Sequence, residues 1–329
     1  MKAKISEMKT LLEGILAKHG LSKKDAEIIA EDYLLGEKEG KKSHGLMAFP
    51  PMIEKIGTLK RGKIIVEKEG PSYALINGNE NFGQLVGEKA RKIAVKKAKK
   101  NGVAIIGAHN MLTFLRPGAQ AEKIQEEGLI GIVVNNGGLE AIAPTGSIDA
   151  VLATNPVGFG IPTDETPIIA DFATSKRAWG EVRVAKAEKR NLPENTFMDA
   201  DGNFTTKPEK AESVAPFGDY KGYAIALLVE ILTGSLVNMQ MGIKRKDGHH
   251  QNLRGAIFIV IDPKKFTGLD KFKKANSALA RQIKNSRKAK NVDEILVPGE
   301  RAMKRKKKTE RLGYFDIDDE LYEKIRNLK

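Results

Sequence analysis

A segment of mixed chemistry follows a short apolar stretch near the middle of the chain. Residues 167–170 are predicted to form a buried strand, and Asp171 stands at its end. The next segment supplies two hydroxyls, two cations and one aromatic ring: Thr174, Ser175, Lys176, Arg177, Ala178, Trp179 and Gly180. Cations and hydroxyls bind phosphate and ribose oxygens, and a ring offers a base a flat face. These residues are therefore a candidate dinucleotide site, although a strand end with a solvated turn has the same composition.

A second candidate lies between two predicted helices, where Ser43 and His44 precede Gly45. Histidine is the side chain best suited to exchange a proton near neutral pH, and the serine could orient its ring or a substrate. The alternative is an ordinary loop histidine. His249 and His250 lie in a charged loop that we expect to face solvent, and no metal site is predicted there or elsewhere.

Two further turns combine charge with glycine. Tyr220 and Lys221 precede the most apolar predicted helix, whose first backbone N–H groups would point at an anion. A later turn contains Gly299, Glu300 and Arg301 and so offers both signs of charge. No strand is followed by GxGxxG, and GxxxxGK[ST] is missing from the sequence, which argues against a standard Rossmann site and a P-loop.

Composition limits the class of protein. The chain has 329 residues, 41% of them hydrophobic, which is enough for one large or two smaller cores. It contains no long uninterrupted apolar run and no signal-peptide core, so we expect a cytoplasmic protein without a membrane span. Cysteine is absent, which excludes disulfides and thiolate chemistry. With 30% charged residues, the composition is typical of thermophile proteins.

The net charge of +14 raises the question of nucleic-acid binding. The densest basic run, residues 304–308, contains no aromatic residue on which a base could stack. We therefore expect a solvated basic face that attracts small anions, with nucleic-acid binding as the weaker alternative.

Hydrophobic periodicity predicts that helices cluster at both ends of the chain and that strands lie mainly between residues 100 and 262. This pattern indicates a mainly helical, discontinuous domain made of residues 1–120 and 270–329, around a mixed-sheet domain of residues 121–269.

Several short motifs follow one another in a particular order. They are residues 43–45, 78–84, 153–156, 171–180, 199–206, 216–223 and 298–301. Together they resemble the malate/L-lactate dehydrogenase family of the second type. That family also contains sulfolactate, ureidoglycolate and diketogulonate oxidoreductases and cyclic imino-acid reductases. The resemblance extends over about residues 5–301.

The resemblance implies an α/β, non-Rossmann fold with a largely antiparallel cofactor-binding sheet, NAD or NADP as cofactor, and a homodimer. It also implies that Ser43, His44 and Asp171 form a serine–histidine–aspartate relay. The segments implied to contact the cofactor are 174–180, 220–221 and 299–301, which the residue types had already marked as candidates for anion or dinucleotide binding.

Three positions depart from the family pattern. Ala48 stands where many members have an arginine suited to a substrate carboxylate, and Thr113 stands where many have a catalytic histidine. Lys42 replaces the usual aspartate before the histidine motif. Arg116 and Lys221 are candidates to meet the substrate carboxylate in place of the missing arginine.

We therefore expect an NAD(P)-dependent oxidoreductase that transfers a hydride between nicotinamide and a small anionic substrate. This substrate is a 2-hydroxy/2-oxo acid of the malate, lactate or sulfolactate type, or a related imino acid. In the reduction His44 would protonate the substrate, Ser43 would bind the ring or the substrate, and Asp171 would hold the imidazolium. The alternative is a dinucleotide-binding member of the family whose catalysis is lost or altered.

Overall fold

The computed structural model describes residues 1–242 and 253–328, so the predicted histidine pair at 249–250 lies outside the described residues. The helices are α1 (Ile5–Lys18), α2 (Lys23–Lys38), α3 (Phe49–Lys55), α4 (Gly83–Asn101), α5 (Pro117–Gln125), α6 (Gly180–Ala187), α7 (Tyr220–Thr233), α8 (Leu269–Lys284), α9 (Glu300–Leu312) and α10 (Asp319–Arg326). The strands are β1 (Lys2–Lys4), β2 (Ile65–Glu69), β3 (Tyr73–Asn81), β4 (Val103–Met111), β5 (Ile130–Asn135), β6 (Val157–Ile161), β7 (Ile168–Phe172), β8 (Phe197–Met198), β9 (Phe204–Thr205), β10 (Ser213–Val214), β11 (Arg254–Ile261) and β12 (Tyr314–Asp316).

A seven-stranded sheet in the order β2-β3-β4-β11-β5-β6-β7 forms the centre of the fold. Strands β3 and β4 pair in parallel, and every other neighbouring pair of this sheet is antiparallel. The predicted non-Rossmann, largely antiparallel α/β sheet is therefore confirmed. Strand β7 is the last in the order, so one of its edges has no strand of this sheet beside it.

Helix α4 packs on one face of the sheet through a stripe of alanines. Ala90, Ala94 and Ala98 recur at a spacing of four residues and are fully buried. This spacing places them on one side of the helix, and their small side chains let it lie close to the strands. Ile106 and Phe258 belong to the same core cluster.

A separate helical layer holds a second core. Leu12 and Leu16 of α1 pack in one cluster with Tyr33 of α2. Phe315 and Ile325 belong to this cluster too, so residues from both ends of the chain build it. The discontinuous helical layer is thus present as predicted from the clustering of helices at both termini.

The main sheet draws on more of the chain than the predicted domain division allowed. Strands β2, β3 and β4 lie within residues 65–111 and join this sheet, although that range was assigned to the mainly helical domain. A separate small sheet, β10-β8-β9, lies within residues 197–214. The division into two domains itself stays a prediction.

Helix α7 covers part of the opposite face of the sheet. Val229 is buried in a cluster with Val134 of β5 and Ile257 of β11. The outer side of the helix exposes apolar side chains, among them Leu228, which is 55% exposed. By length and composition alone, residues Tyr220–Val237 could cross a membrane, with a mean hydropathy of 1.3 and 39% of the segment buried.

Candidate active site

Asp171 lies near the end of the edge strand β7, beside the first turn of α5. A Cβ atom added to Gly118 in that turn would lie 2.5 Å from the Cβ of Asp171, which is too close for any residue but glycine. The side chain of Asp171 is 10% exposed. The close approach of helix and strand therefore fixes this carboxylate at the edge of the sheet.

Two cations converge on one oxygen of Asp171. Arg116 Nη1 lies 3.2 Å and Lys41 Nζ 3.3 Å from Oδ2. The same Arg116 nitrogen lies 2.9 Å from Glu39 Oε2, and Lys41 Nζ lies 3.5 Å from that oxygen. Residues from the end of α2, the start of α5 and β7 thus form one ion cluster. We call these four residues, Glu39, Lys41, Arg116 and Asp171, the ion cluster.

His44 lies in a short 3-10 turn directly after Lys41. Its backbone N–H donates to the carbonyl oxygen of Lys41 at 2.9 Å, and its ring Nδ1 lies 3.0 Å from Ser43 Oγ. Burial lowers the pKa of His44, the negative charge of Asp171 opposes this shift, and the positive charges of Arg116 and Lys41 add to it. The lowered pKa favours the neutral form of the His44 imidazole, which can accept a proton.

Of the three residues predicted to form a relay, only two are in direct contact. Ser43 and His44 contact each other directly. Asp171 acts on the imidazole through its charge, and the two side chains make no hydrogen bond within the described residues. The carboxylate of Asp171 instead forms ion pairs with Arg116 and Lys41.

A buried carboxylate holds the turn that carries His44. Glu37 Oε1 accepts from the backbone N–H of Leu46 at 2.8 Å. A Cβ atom on Gly45 would lie 2.4 Å from the same oxygen, so a larger residue after His44 would have to displace this carboxylate. Burial raises the pKa of Glu37, and the hydrogen bond from Leu46 opposes that shift.

The first hydroxyls of the predicted dinucleotide segment make internal contacts. Thr174 donates to the carbonyl oxygen of Thr154 from its N–H at 2.9 Å and from its hydroxyl at 3.0 Å. Ser175 Oγ donates to the carbonyl oxygen of Arg177 at 2.7 Å. Both side chains are buried, so they shape the path of the segment.

The rest of this segment divides between packed and exposed side chains. Lys176 Nζ donates to the carbonyl oxygen of Asn195 at 3.0 Å. Trp179 packs on Phe197 with ring centroids 6.1 Å apart, immediately before α6 begins at Gly180. Ala178 and Arg177 are exposed, and Arg177 makes no ion pair with any described residue.

The start of α7 lies against this segment. A Cβ atom on Gly222 would lie 3.0 Å from the carbonyl oxygen of Thr174. Tyr220 and Lys221 are exposed there, with Lys221 Nζ 6.0 Å from the centroid of the Tyr220 ring. No carboxylate of the described chain pairs with Lys221. The predicted segments 174–180 and 220–221 are therefore neighbours in space.

The turn before α9 runs along the free edge of β7. Ile169 N–H donates to the carbonyl oxygen of Pro298 at 3.0 Å. Gly299 has φ +92°, and a Cβ atom there would lie 2.8 Å from the carbonyl oxygen of Ile169. Glu300 is buried, accepts from Val297 N–H at 3.1 Å and pairs with Lys284, so its carboxylate is used inside the protein. Arg301 is exposed.

The site thus offers exposed cations on three segments that meet around β7. Arg177, Lys221 and Arg301 carry no ion pair among the described residues. The N–H groups of Lys221 and Gly222 in the first turn of α7 donate to the carbonyl oxygens of Gly218 and Phe217, so the exposed cations are the donors that this part of the chain offers. This donor set fits the phosphates of a dinucleotide. In the same part of the chain, no group of three or more histidine, aspartate or glutamate side chains is arranged to hold a metal ion.

The residues at the altered family positions lie in and around these turns. Thr113 is exposed, and its Oγ1 accepts from Leu115 N–H at 3.0 Å. Leu115 has φ +65°, which is uncommon for leucine, and its side chain packs in the helical core. Arg116 follows directly, so this tight turn places it beside Asp171.

Glu39 and Lys41 are members of the site that the sequence analysis did not identify. The only signal for them was the presence of charges just before His44.

The chain is similar to known proteins over most of its length. The model of the malate/L-lactate dehydrogenase family matches residues 3–326. The chain is 36% identical to a malate/(S)-sulfolactate dehydrogenase of Methanothermus fervidus, over 98% of this chain and 95% of that protein. It is 35% identical to a malate dehydrogenase of Pyrococcus horikoshii, over 87% of this chain and 83% of that protein.

Structural similarity is equally extensive. The sulfolactate dehydrogenase of Methanocaldococcus jannaschii superposes with a TM-score of 0.92 at 34% identity, covering 100% of this chain and 96% of that chain. The match thus includes the helical layer and the sheet, along with every segment that contributes to the candidate site. The chain belongs to the malate/L-lactate dehydrogenase family and is an oxidoreductase.

Proposed function

We propose that the protein transfers a hydride between NAD or NADP and the C2 carbon of a 2-hydroxy/2-oxo acid of the malate, lactate or sulfolactate type. The observation that carries this proposal is the convergence around β7. The ion cluster with His44 lies at the end of this strand, and the three segments with exposed cations lie next to it.

The dinucleotide is proposed to bind through the cations Arg177, Lys221 and Arg301, which would meet its phosphates. Thr174, Ser175 and Glu300 would support these segments from inside, because their side chains bond to the protein itself. When bound, the nicotinamide ring supplies the hydride donor or acceptor.

His44 is proposed to carry the proton. Its Nδ1 faces Ser43, so Nε2 is the nitrogen left to exchange a proton with the substrate oxygen. A neutral imidazole suits the oxidation of a hydroxy acid, in which it accepts the hydroxyl proton. In the reverse direction the charge of Asp171 stabilises the imidazolium that must donate.

A small anionic substrate fits the charge of the protein and the names of its relatives. Malate and sulfolactate, named for the relatives, both carry a carboxylate next to the reacting carbon, and the chain has a net charge of +14. The missing arginine at Ala48 does not exclude such a substrate, because other cations lie beside His44.

A homodimer is proposed from the exposed face of α7. Leu227, Leu228 and Ile231 are 39%, 55% and 46% exposed, and such a row of apolar side chains is typical of a covered surface. The buried Glu230 in the same helix accepts from Asn155 at 2.7 Å. A carboxylate bonded to another part of the protein favours a helix that packs on protein. We therefore propose that a second copy of the chain covers the exposed face of α7. We also propose the cytoplasm as the location of the protein.

The basic residues of α9 are proposed to form ion pairs within the folded chain. Lys306 lies 2.8 Å from Glu122 of α5, and Lys304 pairs with Glu294. These contacts use part of the charge that would otherwise face a nucleic acid.

The test of this function is a substrate panel measured by the absorbance of reduced nicotinamide. Oxaloacetate, pyruvate, sulfopyruvate and a cyclic imino acid are offered separately with NADH and with NADPH. We expect consumption with at least one 2-oxo acid. If the protein binds a dinucleotide by calorimetry yet reduces no member of the panel, the dinucleotide-binding alternative replaces the enzyme.

A further inference from the structure

The two cations on Asp171 differ in their access to solvent. The side chain of Arg116 is 5% exposed and lies between Glu39 and Asp171. The side chain of Lys41 is 32% exposed and reaches the same two carboxylates from outside. Arg116 is therefore fixed within the protein, whereas Lys41 can turn toward a ligand.

We propose that Lys41 binds the substrate carboxylate, in place of the arginine missing at Ala48, and that Arg116 keeps Asp171 paired when Lys41 turns to the substrate. This inference rests on the proposed function, since it assigns an anchor to the 2-oxo acid.

The position of Lys41 matches the shape of such a substrate. In a 2-oxo acid the carboxylate is bonded to the carbon whose oxygen receives the proton. The anion receptor must therefore lie beside the proton donor. Lys41 and His44 leave the same short turn, which is closed by the hydrogen bond from His44 N–H to the Lys41 carbonyl oxygen at 2.9 Å. Lys221 lies at the start of α7, next to Tyr220, and none of the hydrogen bonds or ion pairs of the described residues joins it to the ion cluster.

Lys41 lies farther than Arg116 from Glu39, and the two cations lie at nearly equal distances from Asp171. Charge-assisted hydrogen bonds between nitrogen and oxygen are commonly about 2.7–2.9 Å long. Arg116 reaches Glu39 at 2.9 Å, but Lys41 lies 3.3 Å from Asp171 and 3.5 Å from Glu39. When the ammonium moves to a substrate carboxylate, both carboxylates of the cluster keep Arg116, Glu39 at 2.9 Å and Asp171 at 3.2 Å.

The charges of the cluster also agree with this role. Glu39 and Asp171 are balanced by Lys41 and Arg116, so the four residues together are neutral. Protonation of His44 adds one positive charge, and a bound carboxylate neutralises it. The substrate anion thus stabilises the imidazolium that reduction requires.

The experiment measures anion binding in the full-length protein with oxamate, an isostere of pyruvate whose amide carbonyl is not reduced by nicotinamide. Calorimetry is done with and without saturating NADH and NADPH on the unmodified protein, Lys41→Met, Lys41→Arg and Lys42→Met. Lys42 is the matched control, because it is the next residue, is exposed and pairs with no carboxylate of the described chain. Thermal melting checks that each variant is folded.

We expect Lys41→Met to weaken oxamate binding about tenfold or more, which is the loss of one charge-assisted hydrogen bond. Lys41→Arg should restore most of the affinity, Lys42→Met should match the unmodified protein, and dinucleotide affinity should not change. On a substrate that is turned over, Lys41→Met should raise KM by a larger factor than it lowers kcat.

Equal oxamate affinity in Lys41→Met and the unmodified protein would overturn the inference, as would an unmodified protein that binds no oxamate. These outcomes are distinct from failure of the proposed function. A protein that reduces 2-oxo acids equally well with Lys41→Met keeps the function and loses this anchor. A protein that binds oxamate through Lys41 but reduces nothing keeps the anchor and loses the function.

Discussion

The two halves of the candidate site are held by different kinds of contact. The proposed proton-transfer half depends on side-chain charges brought together from residues 39–44, 116 and 171. The proposed dinucleotide half depends on backbone hydrogen bonds, such as Lys176 N–H to the Ala215 carbonyl oxygen at 2.8 Å and Ile169 N–H to the Pro298 carbonyl oxygen at 3.0 Å. The first half is therefore sensitive to single charges and to pH, whereas the second is set by the path of the chain.

The largest effect is expected from the proton donor. His44→Ala should lower turnover about 10²–10⁴-fold, the usual contribution of general acid–base catalysis, and leave dinucleotide affinity nearly unchanged. Asp171→Asn should cause part of the same loss, because it removes the charge that stabilises the imidazolium. Steady-state kinetics and calorimetry separate the two halves, and full turnover by His44→Ala would exclude the relay.

Removal of the buried guanidinium should affect stability as well as catalysis. Arg116→Met leaves Glu39, which is 6% exposed, and Asp171 without their main partner. Breaking a buried ion pair in this way costs about 3–5 kcal/mol. Chemical denaturation should show this loss, whereas the matched control Lys176→Met, at a more exposed contact, should lose less than about 1 kcal/mol. Equal stability of the two variants would contradict the role of the ion cluster.

The buried carboxyl of Asp32, in α2 of the helical layer, allows a test by the pH dependence of stability. Burial raises the pKa of Asp32 to about 6, against the opposing charges of Lys123 and Arg116. Because the folded pKa lies above the unfolded value of 3.8, ionisation of this group costs the folded state increasing free energy as the pH rises through about 6.

Asp32→Asn should therefore gain stability relative to the unmodified protein by about 2–3 kcal/mol between about pH 4 and about pH 8. Denaturation at both pH values is the measurement, and Asp149→Asn, at an exposed aspartate, is the control. A constant difference between Asp32→Asn and the unmodified protein across this range would show that the carboxylate is not destabilised by burial.

The smallest effect is expected from a single exposed cation of the dinucleotide half. Lys221→Ala should weaken binding of NADH or NADPH about tenfold, since it removes one charge-assisted contact of roughly 1.5–3 kcal/mol. Calorimetry with each cofactor tests this. Unchanged affinity for both cofactors would remove Lys221 from the proposed phosphate contacts.

The same contrast explains what the sequence could predict. Local motifs drew attention to His44 and Asp171, and the hydrophobic periodicity at both ends of the chain predicted a helical layer around a sheet. The ion cluster could not be predicted, because Lys41 and Asp171 are separated by 130 residues and no local pattern links them. Strand β2 alternates only weakly and has one exposed face, so its place in the main sheet depends on pairing with β3. The roles of Thr174, Ser175 and Glu300 toward the cofactor remain predictions, since their side chains make contacts inside the protein.

The central claim is that the proton-transfer half and the dinucleotide half of the site together reduce one substrate by hydride transfer. It is tested most directly with NADH and NADPH that carry deuterium at C4 of the nicotinamide ring, incubated with a 2-oxo acid from the panel. Mass spectrometry then reads the hydroxy acid product. The account predicts deuterium at C2 of the product with one of the C4-deuterated stereoisomers of the cofactor, and much slower formation of this labelled product by His44→Ala. Product formation without deuterium from either stereoisomer, or no product with any 2-oxo acid, would contradict it.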